Sequence, residues 1–325
     1  MKPSLAGAAA GLVAATMLAL APAGCTRLGF SSSAATSPDG SPDGDAGGGA
    51  DVVDALGDDA PASPRLSCTF AGQVGASPEP IREPGITVDG LHLFARDEGA
   101  SFTAWESTRP DLDAPWSDWA KTSRLASWTQ DPSFLAIDGQ LELFAARSPQ
   151  ALDMPRAIYR CSRPFESNAT TCQKVTIYDV NGDEITDDLD GPSLALLRGS
   201  PTMTISWQLQ GVFQRVLIAT PRAGDLLAWD AVRLQGGEID TDDVVLSDDA
   251  SLLVSTTSEI IIWRRHPDGS YRRAQSLSPD NLAEESANEL FLRPDGSWEI
   301  YYSAFETAAK LPKERRIYLA RCVAQ

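Results

Sequence analysis

The chain has 325 residues, 42% of them hydrophobic, enough to bury the core of one large β domain or two average ones. Its formal net charge of −18 excludes the basic footprint that nucleic-acid binding requires. Beyond the N-terminus, no stretch is long and apolar enough to span a bilayer as a helix.

The first segment reads as a targeting signal. Lys2 gives a positive start, and Leu5 to Leu20 form an apolar core of signal-peptide length. Two processing routes fit the residues after that core. Ala21-Pro22-Ala23 matches the small-x-small pattern of ordinary secretion, whereas Ala23-Gly24-Cys25 resembles a bacterial lipobox in which Cys25 is lipidated. Pro22 stands where a lipobox usually has Leu. Cysteine parity favours lipidation. An exported chain meets an oxidising compartment, and of Cys25, Cys68, Cys161, Cys172 and Cys322 only Cys25 lies outside the region that reads as folded. Thr26 is not the Asp that marks inner-membrane retention in many such lipoproteins, so an outer-membrane anchor is expected. The domain plan is a signal peptide over 1–24, a linker over 25–64 and a folded region over 65–325. From Ser31 to Pro64 the linker carries seven Asp and no Lys or Arg, and it lacks the apolar content to offset the entropy of ordering.

The folded region repeats. Five stretches each place an alternating strand, a turn and a second strand in succession: "EPGITVDGLHLFAR", "DPSFLAIDGQLELFAA", "DGPSLALLRGSPTMTISWQ", "DDVVLSDDASLLVST" and "NELFLRPDGSWEIYYSA". The turns are Asp89-Gly90, Asp138-Gly139, Arg198-Gly199, Asp248-Asp249 and Asp295-Gly296, spaced 47 to 60 residues apart. Asp-Gly between alternating runs is a strong hairpin signal, and the spacing is that of propeller blades. Third strands follow in all five repeats. Fourth strands follow in the first four, among them "CQKVTIYDV" (172–180) and "LLAWDAVRL" (226–234). The fifth repeat runs out of chain, and "RLSCTFAGQV" (65–74) precedes the first with no other partner. The fold class predicted is therefore all-β: a five-bladed β-propeller of four-stranded blades, its ring closed by this N-terminal strand. Cys161 and Cys172 sit on the third and fourth strands of blade two. Cys322 and Cys68 take the same positions in blade five, so Cys161–Cys172 and Cys68–Cys322 are the expected disulfides.

Five acids stand near the start of the inner strands: Glu83, Asp131, Asp190, Asp242 (or Asp243) and Glu289. Equivalent propeller positions converge on one mouth, where such acids either cap turns or bind a cation or polar ligand. The acidic loop "DVNGDEITDDLD" (179–190) imitates a calcium loop through Asp179, Asn181 and Asp183, but Gly182 is fourth where the sharp bend needs Gly sixth, so a solvated loop and no cofactor are expected, with calcium as the alternative. His92 and His266 have no second His at metal spacing, and Trp105, Trp207, Trp229, Trp263 and Trp298 fall on strands as wedges between blades.

Residues 65–325, and "RPDGSWEIYYSA" above all, resemble the repeats of TolB-type and WD-repeat-like bacterial propellers. Asp131-Pro132 and Asp190-Gly191-Pro192 resemble the catalytic motifs of five-bladed arabinanase- and xylosidase-type glycosidases. That resemblance implies Asp131 as base and Asp190 as acid. Here the acid is Asp instead of Glu. The base stands in blade two, where the family has it in blade one, and blade one carries Glu83-Pro84-Gly85. These departures favour a lipid-anchored envelope propeller that recognises a protein or glycan without catalysis. Glycoside hydrolysis and a purely structural role are the alternatives.

Overall fold

The computed structural model describes residues 66–97, 103–125, 129–147, 155–162, 172–209, 212–234, 239, 244–256, 259–277, 282–306 and 314–325. Cys25, the signal segment, the linker, and Asp242 with Asp243 lie outside them.

Among the described residues the regular secondary structure is all strand. Blade one comprises β2 (Ile81–Ile86), β3 (His92–Asp97), β4 (Ala104–Thr108) and β5 (Ala120–Lys121). Blade two holds β6 (Gln130–Ile137), β7 (Gln140–Arg147), β8 (Ala157–Ser162) and β9 (Cys172–Lys174). Blade three holds β11 (Asp188–Leu197), β12 (Ser200–Leu209), β13 (Val212–Arg222) and β14 (Asp225–Arg233). Blade four holds β15 (Val244–Leu246), β16 (Leu252–Thr256), β17 (Ile260–Arg265) and β18 (Tyr271–Leu277). Blade five holds β19 (Leu282–Leu292), β20 (Trp298–Glu306) and β21 (Arg315–Ala324), and its fourth strand is β1 (Leu66–Gln73) from the other end of the fold. The inner strands β2, β6, β11, β15 and β19 touch in sequence and β19 returns to β2, which makes a ring of five.

Strand alternation builds the core as five wedges. Phe94 of β3 packs with Phe134 and Leu143 of blade two, while its neighbours Leu93 and Ala95 pack with Tyr301 and Leu319 of blade five. Phe144 packs towards blade three, edge-on to Trp229 with centroids 5.7 Å apart. Leu253 faces blade three, whereas Leu252 and Val254 face Trp298 and Tyr302 of blade five. Side chains point to alternate faces of a strand, so each blade with two apolar faces fills one wedge on either side.

Both expected disulfides are present, each between residues directly opposite in register: Cys161 with Cys172 and Cys68 with Cys322. The second joins residues 254 apart and clasps the ring, which in the chain-entropy model is worth about 5 kcal/mol. A buried polar knot ties blade five to blade one. Glu299 of β20 accepts hydrogen bonds from Arg109 of blade one (2.8 Å), Arg293 (3.0 Å) and the Tyr301 hydroxyl (2.5 Å).

The structure corrects two expectations. The fourth strand of blade two ends at Lys174; β10 (Thr176–Tyr178) then pairs in parallel with β14, giving blade three a fifth strand. Val175 is the pivot, its N–H bonding back to the Ile158 carbonyl while Ile177 is buried in the wedge between blades two and three. The blade-four hairpin also turns one residue later than expected, on Asp249-Ala250. Ala250 takes φ 54°, and Asp249 accepts hydrogen bonds from Ser247 and Ser251, as Asp89 and Asp295 do in their own turns. Asp248 is thereby freed from the turn.

Candidate carboxylate site at the channel mouth

Each of the first three inner strands carries a bulge near its start. The register slips between Arg82 and Gly85, between Gln130 and Ser133, and between Asp190 and Ser193. The extra residue is Glu83 (φ 56°), Asp131 (φ 46°) or Gly191 (φ 54°), followed each time by Pro. A bulged residue leaves the ladder, so the missing proline N–H costs no hydrogen bond. The third motif position meets the next blade. A Cβ on Gly85 would lie 2.0 Å from the Pro132 carbonyl oxygen, so only glycine fits there. In the other two blades the space is wider and a serine stitches the gap: Ser133 Oγ accepts from the Leu194 N–H (3.0 Å) and Ser193 Oγ from the Leu246 N–H (2.9 Å).

This register corrects the acid ring. Glu83 and Asp131 occupy equivalent positions, but Gly191 is their counterpart in blade three. Asp190 stands one residue earlier, level with Gln130. Glu289 lies four residues before Arg293, whose N–H closes the blade-five turn, as Glu83 lies four before Thr87. The one-residue offset comes from "DGP", which places Gly, instead of the acid, at the bulge.

The surroundings of the acids differ. Glu83 is buried and gripped through both oxygens by the Arg96 guanidinium, with Arg82 at 3.3 Å. Arg82 and Arg96 are directly opposite in register, which brings both cations to Glu83. Asp190 is paired by Arg156, which precedes β8 in blade two and reaches across to blade three. There Asp188 holds that guanidinium in a fork (3.0 and 2.9 Å), and Gln208 accepts a further bond at 3.0 Å. The Oδ1 of Asp190 is buried and receives no hydrogen bond among the described residues. Asp131 is half-buried.

On the far side of the ring, burial pushes the Glu289 carboxyl well above the usual carboxylate range; the charge of Asp248 adds to this, while the Leu290 N–H opposes it. Burial raises Asp248 to about 6, with Asp249 contributing. The loop at 179–183 is an Asx turn in solvent. Asp179 accepts from the N–H groups of Asn181 and Asp183, and its carboxyl is held below the usual range, chiefly by the second of these bonds. Among the described residues, no group of three or more His, Cys, Asp or Glu side chains is placed to hold a metal ion. His92 pairs with Glu106 at 2.8 Å. Trp105, Trp229, Trp263 and Trp298 are buried in the wedges, as expected.

No family model matches this chain, and neither does any curated protein. The solved structures do match. A thermostable family-43 glycoside hydrolase superposes with a TM-score of 0.53 at 11% identity, over 76% of this chain and 91% of that one. A family 117 glycoside hydrolase from Zobellia galactanivorans gives 0.51 at 12%, over 80% and 91%. An α-L-arabinofuranosidase from Lactobacillus brevis gives 0.50 at 11%, over 76% and 94%. The fold is the five-bladed propeller of these structures. At 11–12% identity they show the fold alone, and none of the three is a TolB-type protein.

Proposed function

We propose that the chain is a glycoside hydrolase whose site is the carboxylate mouth of blades one to three. One observation carries this reading: three successive blades deliver Glu83, Asp131 and Asp190 to the same end of the inner ring, on a fold that glycoside hydrolases use. Hydrolysis of a glycosidic bond needs one carboxyl to protonate the leaving oxygen and another to act as base or nucleophile, at a separation that sets the stereochemical outcome. Glu83 and Asp190 are fixed in place by arginines, and Asp131 stands between them in chain order. With Glu83 included, each of blades one, two and three contributes an acid. The base need not be sought in blade two alone, and the motif order no longer favours a non-catalytic propeller.

A second reading rests on the same arginines. Carboxylate oxygens occupied by Arg96 and Arg156 suit saccharide binding without bond cleavage. The two readings separate in one experiment: hydrolysis of arabinan, xylan and aryl glycosides by the wild type beside Glu83→Gln, Asp131→Asn and Asp190→Asn. Activity that each substitution lowers at least a hundredfold, at a temperature where every variant is still folded, supports the hydrolase. Binding without hydrolysis by the wild type leaves the lectin-like reading. Export to the cell envelope with a lipid on Cys25 belongs to the same proposal, and the two disulfides favour an oxidising compartment. Cys25→Ala should move the protein from the membrane fraction to the soluble one.

A further inference from the structure

A second recess lies beside the mouth. It has a volume of about 220 Å³ and opens between blades two and three, with Pro155, Arg156, Tyr159, Lys174, Ile185 and Asp187 in its wall. Its floor belongs to the same face as the carboxylates. Ala157 stands opposite Arg147 at the end of β7, just past the Gln130–Ala146 pair at which β6 begins, and residues 185–189 lead directly into β11. Arg156 is shared, since it lines the recess and pairs with Asp190.

The chemistry of the wall narrows the occupant. Pro155, Ile185 and the Tyr159 ring offer apolar surface, with polar groups spaced between them, the pattern of a small-molecule site. Its two cations are already matched. Arg156 is held by Asp188 and Asp190, Lys174 pairs with Glu184 at 3.1 Å, and Asp187 accepts the Trp207 indole N–H at 3.0 Å. An anionic guest would have to compete with Asp188, Asp190 or Glu184 for these two cations. A neutral ring with C–H faces and peripheral hydroxyls competes with none of them. The volume suits one such ring.

We infer that this recess is a subsite for a second, neutral sugar unit of the glycan, so that the substrate is an oligosaccharide or a branched chain instead of a simple glycoside. The inference rests on the saccharide reading of the mouth. Two substitutions address the recess without touching the carboxylates: Tyr159→Ala removes its aromatic wall, and Thr186→Trp, at an exposed loop position lining it, fills it. The measurements are kcat/KM on aryl monoglycosides and on neutral arabino- and xylo-oligosaccharides, calorimetric binding of the same oligosaccharides and of uronate-bearing ones, and melting temperature. Both variants should lose about tenfold or more on oligosaccharides, in kcat/KM and in affinity, while aryl monoglycoside hydrolysis and melting stay as in the wild type. Equal losses on both substrate types, or none, overturn the subsite and leave the hydrolase reading standing. Tighter binding of uronates than of neutral chains overturns the neutral assignment. A wild type that binds oligosaccharides through the recess without cleaving them retains the subsite and overturns the hydrolase. A wild type that neither binds nor cleaves any of the panel overturns both.

Discussion

Glu83 and Glu289 are the same residue type at equivalent positions of the ring, and both are buried, yet they meet opposite conditions. Blade one answers its acid with Arg96 in a two-pronged pair and Arg82 nearby. Blade five gives Glu289 one backbone N–H and the neighbourhood of another acid, Asp248. An acid paired with arginine is retained as a charge, whereas an acid buried beside another acid is retained by holding its proton. The ring therefore has a charged half, over blades one to three, and a proton-holding half at blades four and five. Position in a repeat does not fix a residue's chemistry. The cation delivered by the neighbouring strand does.

The largest effect should come from removing that cation. Arg96→Met leaves the buried Glu83 carboxylate with only the partly exposed Arg82 beside it, and breaking a buried pair on one side costs about 3–5 kcal/mol, a ceiling that Arg82 lowers. Urea unfolding at pH 7 measures the loss. The double substitution Arg96→Met with Glu83→Gln should recover most of it. A single Arg96→Met variant as stable as the wild type would dissolve the distinction between the halves.

The proton-holding half should reveal itself through pH. Asp248 has its carboxyl raised from 3.8 to about 6 in the folded state, first by burial. Below pH 4 it is protonated in both states and its contribution is fully present. Between pH 4 and 6 the unfolded chain releases the proton and the folded chain keeps it, so stability falls as pH rises, by at most about 3 kcal/mol at about 1.4 kcal/mol per unit. Asp248→Asn should flatten that fall in unfolding free energy measured from pH 4 to pH 7.5. Asp249 and Glu289 are the titratable groups facing this one.

Glu289→Gln gives a one-sided response. The amide mimics the protonated acid, so the variant should match the wild type at pH 4 and exceed it at pH 8, where the wild type must either ionise the buried group or keep a proton that the unfolded chain has released. A loss of stability at pH 8 would mean that Glu289 works as an anion like Glu83.

Much of this frame is legible in the sequence, because it rests on local signals. The five turns give the blade count, and the strand "RLSCTFAGQV" with Cys68 and Cys322 gives the clasp. The register at the mouth is not legible. A bulge adds one residue without changing the alternation on either side, so "DPS" and "DGP" look equivalent when aligned by their acids and are offset by one in space. The arginines escape sequence reasoning for a different reason. Arg96 reaches Glu83 from the next strand, and Arg156 reaches Asp190 from another blade, so no periodic pattern marks either. The opposed pair Arg82 and Arg96, on either side of the Asp89-Gly90 turn, is the one readable hint. Asp248 passes for a turn residue, since Asp-Asp at a hairpin tip conceals which of the two makes the turn.

The smallest predicted effect tests the register itself. If Gly191 is the counterpart of Glu83 and Asp131, its backbone at φ 54° is one that an acid already tolerates at φ 56° and φ 46° in the two preceding blades. Gly191→Asp should then fold, at a cost of about 1 kcal/mol for a side chain in the left-handed region. The new carboxylate joins the half of the ring where arginines stand. Arg156 is already matched by Asp188 and Asp190, so a third acid there meets net negative charge, and the variant should lose less stability relative to the wild type in about 1 M salt than in low salt. If Asp190 were instead the true ring position, residue 191 would continue the strand with its φ set by the ladder, and the Asp substitution would strain the β11–β12 pairing. The unfolding penalty would then be several kcal/mol, and no change in salt would reduce it.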